Sequence, residues 1–286
     1  MATRDSFVKR YAVLIYFVLA VVLSWGIIVL TVGAGNLPVP AALADELGPM
    51  LYVGMLVGPS AAGLLMLGLT EGRAGLRDLL SRLGRWRVGV RWWLVALLAA
   101  PVSALVVLLV LSLFSPDFAP AIFTAENPGS MLLTALLTGV MVALFEEIGW
   151  TGFAIPQMRT RYGVLATGLI VGAVWGAWHF LPFWEADTFR AGLPFALLIG
   201  RLFTWLVAFR VLMVWLYDRT GSLLLAMVMH AMLVATTQVL PSLALSGVPL
   251  LVWLGAWALA LWGLAAAALT VERGRADAPE ARRRLA

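Results

Sequence analysis

The sequence predicts an all-α, polytopic transmembrane bundle of about eight helices, with both termini on the cytoplasmic side. Hydrophobic residues make up 62% of the 286 residues, charged residues only 12%, and the mean hydropathy is +0.96. Soluble domains are far more polar than this. Basic and acidic loops also alternate along the chain. We therefore expect an integral membrane protein, in a bacterial cell membrane.

Eight apolar segments have roughly the length that crosses a bilayer. In chain order they are 11–33, 50–69, 92–114, 131–156, 164–180, 193–217, 222–239 and 250–271. The first segment is too long for the core of a signal peptide and lacks a cleavage site of small residues. It is therefore predicted to be a retained span.

The charges in the loops predict the orientation. Basic residues lie before the first segment, in the second, fourth and sixth loops, and in the tail: Arg4, Lys9, Arg10, Arg73, Arg77, Arg82, Arg85, Arg87, Arg91, Arg159, Arg161, Arg219, Arg282, Arg283 and Arg284. The intervening loops are acidic, with Arg190 as their only basic residue. The positive-inside rule then places both termini in the cytoplasm. The net charge of +5 is explained by this orientation and does not indicate nucleic-acid binding.

The second loop is predicted to form an amphipathic helix. Leu76, Leu79, Leu80 and Leu83 recur at helical spacing, and Arg77, Arg82 and Arg85 fall on other faces. Such a helix is expected to anchor the chain at the cytoplasmic leaflet. The chain is thus one membrane domain in three parts. Residues 1–130 hold three spans and this helix, 131–240 the catalytic core, and 241–286 the last span and a basic tail.

Two adjacent glutamates, Glu146 and Glu147, interrupt the fourth apolar segment. An ionised side chain at this depth costs roughly 2.5–3.5 kcal/mol on insertion scales, so it usually marks a functional site. The only two histidines, His179 and His230, also lie in apolar segments. Glu146 and His179 are equally far along the chain from the turn between Tyr162 and Gly163. An antiparallel hairpin would place both at one depth, ~25 Å from the turn.

This equal depth requires the fourth helix to continue past Glu147 toward Arg159. Gly149, Gly152 and Pro156 are expected to bend it on the way.

Counting inward from Ser222 places His230 in the same layer, in the cytoplasmic half. Arg210, in the sixth segment, falls at a similar depth and is the predicted partner of Glu147, because a buried arginine needs a counter-charge. An ion pair with Asp218 is the alternative. Arg201 lies nearer the outer face, where Glu185 or Asp187 could pair with it.

A layer of this kind can activate water. One glutamate and one histidine can hold a water as a general-base pair, and the second histidine can donate to the developing oxyanion. This reaction requires no cofactor. Alternatively, Glu146, His179 and His230 could bind Zn²⁺ with an open fourth position, although no HExxH motif is present. The chain has no cysteine, which excludes disulfides, thiolate nucleophiles and Cys-based zinc sites.

At these residues the chain resembles the CAAX protease and bacteriocin-processing family of intramembrane proteases. Members carry EExxxR, then FxxxH, then HxxxN or HxxxD. Here the corresponding stretches read EEIGWTGFAIP from Glu146, WGAWHFLPFW around His179, and YDRTGSLLLAMVMHA ending near His230. The resemblance covers about residues 131–238.

The resemblance implies an endopeptidase that hydrolyses membrane-associated proteins or peptides, lipidated or not. Glu146 and His179 match the pair that activates water, and His230 matches an oxyanion-stabilising histidine. Glu147 matches the second acidic residue, which faces the motif arginine. The family was first described as zinc proteases, and a metal-free glutamate mechanism is now better supported.

Two departures from the family pattern matter. Thr151 stands where the motif has arginine, and Val234 where it has asparagine. Arg210 could replace the missing motif arginine. Thr236, Thr237 and Gln238 lie about one turn beyond Val234 and could replace the missing asparagine. These departures keep a second function open, a non-proteolytic immunity or binding protein of the same fold. A transporter with a Glu/His proton relay is a third, less favoured because no inverted repeat is apparent.

Overall fold

The computed structural model describes residues 7–242 and 244–284, with the backbone alone for 271–284. Within these ranges the chain is helical and contains no strand. We number the helices α1 Ala12–Val32, α2 Ala41–Thr70, α3 Gly72–Leu83, α4 Val90–Ser112, α5 Pro128–Gly149, α6 Ile155–Arg159, α7 Val164–Trp178, α8 Phe180–Phe183, α9 Gly192–Ile199, α10 Trp205–Thr220, α11 Leu223–Val239 and α12 Gly247–Arg284. Single π-helical turns, Trp150–Ala154 and Gly200–Thr204, join α5 to α6 and α9 to α10.

Every predicted apolar segment is helical, and the predicted fold class is confirmed. Six helical stretches are long and apolar enough to cross a membrane: Ala12–Val32, Ala41–Thr70, Val90–Ser112, Pro128–Arg159, Gly192–Thr220 and Gly247–Thr270. The other two, α7 and α11, are apolar but shorter, with 15 and 17 residues. The chain is an integral membrane protein.

Some of the basic residues that predict the orientation are outside the described part of the chain. Arg4 is outside them, and so are the side chains of Arg282, Arg283 and Arg284. The cytoplasmic location of both termini therefore stays a prediction. The division into 1–130, 131–240 and 241–286 stays one as well.

The fourth span continues well past the glutamates, as the depth argument requires. Pro128–Arg159 is a continuous helical stretch of 32 residues. Its α-helical pitch changes only at the π turn, Trp150–Ala154. At ~1.5 Å per residue it is ~48 Å long, more than the ~30 Å of the hydrocarbon core. The π turn lies where Gly149, Gly152 and Pro156 predicted a bend. Single π turns of this kind are frequent at functional sites.

A ridge of glycines brings α7 close to α10. Gly168, Gly172 and Gly176 are spaced four residues apart, so they share one face of α7. A Cβ added at Gly176 would lie 2.1 Å from the Leu202 carbonyl oxygen, so a side chain cannot fit there. Small residues at this spacing allow close contact between membrane helices.

The second loop forms the predicted helix, α3, but one expectation about it is wrong. Arg82 was expected on a face away from the leucines. It is instead buried beside Leu79, with only 7% of its surface exposed, and donates to the Gly152 carbonyl. Leu76 and Leu80 lie on the exposed side. The guanidinium is buried because the carbonyl of the π turn gives it a partner inside the bundle.

Candidate active site

Four helices bring the predicted residues to one place. Glu146 and Glu147 come from the last turn of α5, His179 follows α7, Arg210 lies in α10 and His230 in α11. A cavity of about 370 Å³ opens among them. Its lining is Tyr52, Met55, Leu56, Val142, Glu146, Trp175, Trp178, His179, Pro182, Phe183, Trp205, Leu206, His230, Leu233, Val234, Thr237 and Gln238. Glu146, His179 and His230, which the sequence placed in one layer, all line this cavity.

Glu147 lies behind the cavity wall in a closed ionic cluster. It has no exposed surface, and Arg210 Nη1 donates to both of its oxygens at 2.9 and 3.0 Å. His230 Nδ1 lies 2.8 Å from Oε1, and the Thr151 hydroxyl donates to Oε2. The predicted Glu147–Arg210 pair is confirmed, and Thr151 contributes only a hydrogen bond. With both oxygens engaged, Glu147 is placed to orient His230.

The other ion pairs are also settled by the geometry. Asp218, the alternative partner of Arg210, pairs instead with Arg159 at 2.6 Å. Arg201 pairs with Glu185 at 2.7 Å, one of its two predicted partners. Of its two predicted partners, Glu147 and Asp218, Arg210 therefore pairs with Glu147.

Each histidine is held by its Nδ1 atom. His179 Nδ1 lies 2.8 Å from the Trp175 carbonyl oxygen, which can only accept, so Nδ1 carries the proton. In the neutral ring, Nε2 is then the nitrogen with a free lone pair. His230 Nδ1 likewise donates to the Glu147 carboxylate. Both histidines therefore keep Nε2 for a water or ligand in the cavity.

Trp175 connects the whole site, and the sequence reasoning did not assign it a role. Its indole Nε1 donates to Glu146 Oε2 at 2.7 Å. The Arg210 guanidinium lies 3.9 Å from the centre of its ring, and the His179 and His230 rings meet it edge-on at 5.6 and 5.2 Å. The available signal was its spacing, because a residue four positions before a site histidine shares its helical face.

Glu146 differs from its neighbour in being only partly engaged. Trp175 occupies Oε2, and within the described part of the chain no protein donor binds Oε1. The side chain is 2% exposed but lines the cavity. Glu146 can thus receive a water where Glu147 cannot.

The candidate replacements for the missing asparagine differ in their surroundings. Val234 lines the cavity and offers no donor. Thr237 uses its hydroxyl to donate to the Val234 carbonyl at 2.8 Å. Thr236 is buried away from the cavity with its hydroxyl unpartnered, whereas the Gln238 amide is part of the lining. Gln238 is the best placed of the three.

The residues do not form a recognisable metal site. Among the described residues, no group of three or more His, Cys, Asp or Glu side chains is arranged to hold a metal ion. Glu147 is saturated by Arg210, Thr151 and His230, so it cannot supply a fourth ligand. The zinc alternative at Glu146, His179 and His230 therefore stays a prediction.

Residues 128–236 match a family model described as type II CAAX prenyl endopeptidase Rce1-like. The chain is therefore similar to that family over this segment, the Rce1-like core. Over 67 residues it is also 36% identical to CAAX prenyl protease 2 of Methanococcus maripaludis, a stretch that is 23% of this chain. The chain spans about a fifth of the length of that relative. The resemblance drawn from the three motifs is thereby confirmed.

The Rce1-like core, residues 128–236, contains the ionic cluster together with Glu146 and His179. Helix α3, with Arg82, lies outside it.

Proposed function

We propose that this protein is an intramembrane endopeptidase that hydrolyses peptide bonds of membrane-associated substrates with a water held by Glu146 and His179. The observation that carries the proposal is their shared cavity, with a free carboxylate oxygen on one and a free Nε2 on the other. The relative from Methanococcus maripaludis is named a prenyl protease, which supports the same class of reaction.

The first step is activation of the water. Glu146 Oε1 accepts the proton of the water while His179 Nε2 accepts a second hydrogen bond from it and fixes its orientation. The hydroxide attacks the scissile carbonyl carbon, and the proton held at Glu146 passes to the leaving amine. General-base assistance by a positioned group contributes roughly 10²–10⁴-fold to the rate.

The second step is stabilisation of the oxyanion by His230. Nε2 can donate only if His230 carries protons on both nitrogens, with Nδ1 donating to the Glu147 carboxylate. Glu147 and Arg210 act through His230 and are positioning residues in this scheme.

The cavity walls indicate an apolar substrate segment. Leu56, Phe183, Leu206 and Leu233 surround the polar groups, and a buried apolar wall excludes the bulk water that would compete with the bound one. We expect the substrate to be a membrane-embedded or membrane-anchored peptide. A covalent lipid on it is compatible with these walls but is not required by them.

The test is cleavage of defined peptides by the purified protein in detergent. A farnesylated CAAX-type peptide, the same peptide without the lipid, and an apolar transmembrane peptide would be compared, with Glu146→Gln as the control. We expect cleavage of at least one by the wild type, none by Glu146→Gln, and no loss on adding a chelator. Loss of activity on chelation and recovery with Zn²⁺ would instead support the zinc alternative.

One observation favours the second function. Val234 leaves the cavity without the donor that the family pattern places there. If no peptide is cleaved but a peptide or bacteriocin binds the cavity, the protein is an immunity or binding protein of this fold.

A further inference from the structure

Helix α3 joins the ends of the elements that carry the site. Its Arg82 side chain is buried and makes contacts in three directions. Nη2 donates to the Gly152 carbonyl at 2.9 Å, Nη1 donates to the Tyr217 hydroxyl at 2.9 Å, and Nε lies 2.7 Å from Asp78 Oδ2. A guanidinium with two structural partners outside its own helix fixes their relative positions.

The first partner belongs to the π turn that follows the glutamates. Gly152 lies five residues after Glu147, and the wide turn leaves its carbonyl open to Arg82. Leu79, one turn before Arg82, packs directly on Gly152: an added Cβ there would lie 2.7 Å from the Leu79 Cδ1 atom. A side chain at position 152 would therefore require the Leu79 side chain to shift.

The second partner belongs to the helix of Arg210. Tyr217 follows Arg210 by seven residues, so both lie on nearly the same face of α10, two turns apart. Arg82 therefore connects the segment after Glu147 to the helix that supplies its counter-charge.

The turn after α3 reaches the third element. The Ser222 hydroxyl donates to the Arg85 carbonyl at 2.7 Å, and Ser222 also caps α11 by accepting from the Leu225 amide. Helix α11 carries His230 two turns further on. Arg82 and Arg85 thus contact the elements of Glu147, Arg210 and His230 at one end of the bundle.

We propose that α3 with its following turn, residues 72–85, is a clamp that keeps the Glu147–Arg210–His230 cluster assembled, and that Arg82 is a positioning residue for the hydrolysis. The kinetic part rests on the proposed function. The clamp lies outside the Rce1-like core, so it is a property of this chain beyond the matched segment.

Hydrogen–deuterium exchange with Arg82→Ala tests the clamp without using activity. Arg77→Ala is the matched control, because it removes the same charge from an exposed position of the same helix. A hydrogen bond from a charged group is worth ~1.5–3 kcal/mol, so we expect exchange in residues 148–156 to be about 10- to 100-fold faster in Arg82→Ala. We expect no change there in Arg77→Ala.

Kinetics with the same variants test positioning. We expect Arg82→Ala to lower kcat about 10- to 100-fold with KM unchanged, since small misplacements cost rate rather than binding. Guanidinium ion added to Arg82→Ala should restore part of both kcat and exchange protection, while Arg82→Lys should not reproduce the forked contact. If Arg82→Ala does not fold, Tyr217→Phe removes one contact alone and should show smaller changes of the same sign.

The outcomes are separable. Absence of cleavage by the wild type defeats the proposed function while the exchange experiment still tests the clamp. Equal exchange of residues 148–156 in the Arg82→Ala and Arg77→Ala variants would overturn the clamp. A kcat per folded molecule that Arg82→Ala leaves unchanged would overturn the positioning role of Arg82.

Discussion

Removing Arg210 should destabilise the protein strongly, because it leaves Glu147 buried without its counter-charge. Both side chains have no exposed surface, and one guanidinium nitrogen contacts both carboxylate oxygens at 2.9 and 3.0 Å. Breaking a buried pair by removing one partner costs ~3–5 kcal/mol. The guanidinium also covers the Trp175 ring at 3.9 Å, a contact worth up to about 2 kcal/mol when desolvated.

The perturbation is a double-mutant cycle of Glu147→Gln and Arg210→Met. For 286 residues with an unfolding entropy of about 2.1 cal/mol/K per residue, a loss of 3–5 kcal/mol corresponds to a fall in Tm of roughly 5–8 °C. We expect each single variant to show this, and the double variant to lose much less than the sum, because no unpaired charge remains. Arg210 Nε and Nη2 lack partners in the described structure, which adds to the gain from replacing both residues.

Thermal unfolding in detergent, followed by circular dichroism, measures the cycle. Arg201→Met is the matched control, because its partner Glu185 is largely exposed and surface pairs contribute only ~0–1 kcal/mol. Its Tm should fall by no more than a few degrees. A double variant whose loss equals the sum of the two single losses would refute the coupling between Glu147 and Arg210.

Three further predictions follow from the same geometry. Trp175→Phe keeps an aromatic ring and the backbone carbonyl but removes the N–H that donates to Glu146. In a peptide cleavage assay, kcat should therefore fall about tenfold with little change in KM. An unchanged kcat would contradict a role of Trp175 in positioning Glu146. Val234→Asn should raise kcat by up to ~10²-fold in the same assay, because the amide would supply a donor to the oxyanion. A variant no faster than wild type would show that another group already donates to the oxyanion. Single cysteines introduced at positions 85 and 282 of this cysteine-free chain should react with a thiol reagent only when it is applied from the cytoplasmic side. Reaction with a membrane-impermeant reagent applied from outside would overturn the predicted topology.

The helices and the meeting of the site residues at one cavity were predictable from the sequence. Hydropathy located each apolar helix, since only internally hydrogen-bonded segments are stable in lipid. The rise per residue placed Glu146 and His179 at one level of the hairpin, because helix length depends little on side-chain detail. The pairing of Arg210 with Glu147 was predictable because a buried carboxylate needs a counter-charge.

The remaining features depend on packing that sequence patterns do not encode. A tryptophan in an apolar helix is usually part of the core, so its spacing from His179 did not by itself mark Trp175 as a donor to Glu146. An arginine on an amphipathic helix is usually solvated, and Arg82 is buried because the Gly152 carbonyl and the Tyr217 hydroxyl give it partners inside the bundle. Gly149, Gly152 and Pro156 indicated a bend, but they did not specify a π turn.

The most direct test of the central claim is single-turnover cleavage of a membrane-anchored peptide in water enriched in ¹⁸O, with wild type and Glu146→Gln compared by mass spectrometry. The account predicts one ¹⁸O atom in the new carboxylate of the wild-type product, formed in the presence of chelator, and no product with Glu146→Gln. Cleavage by Glu146→Gln at the wild-type rate would contradict the assignment of Glu146 as the base that activates the water.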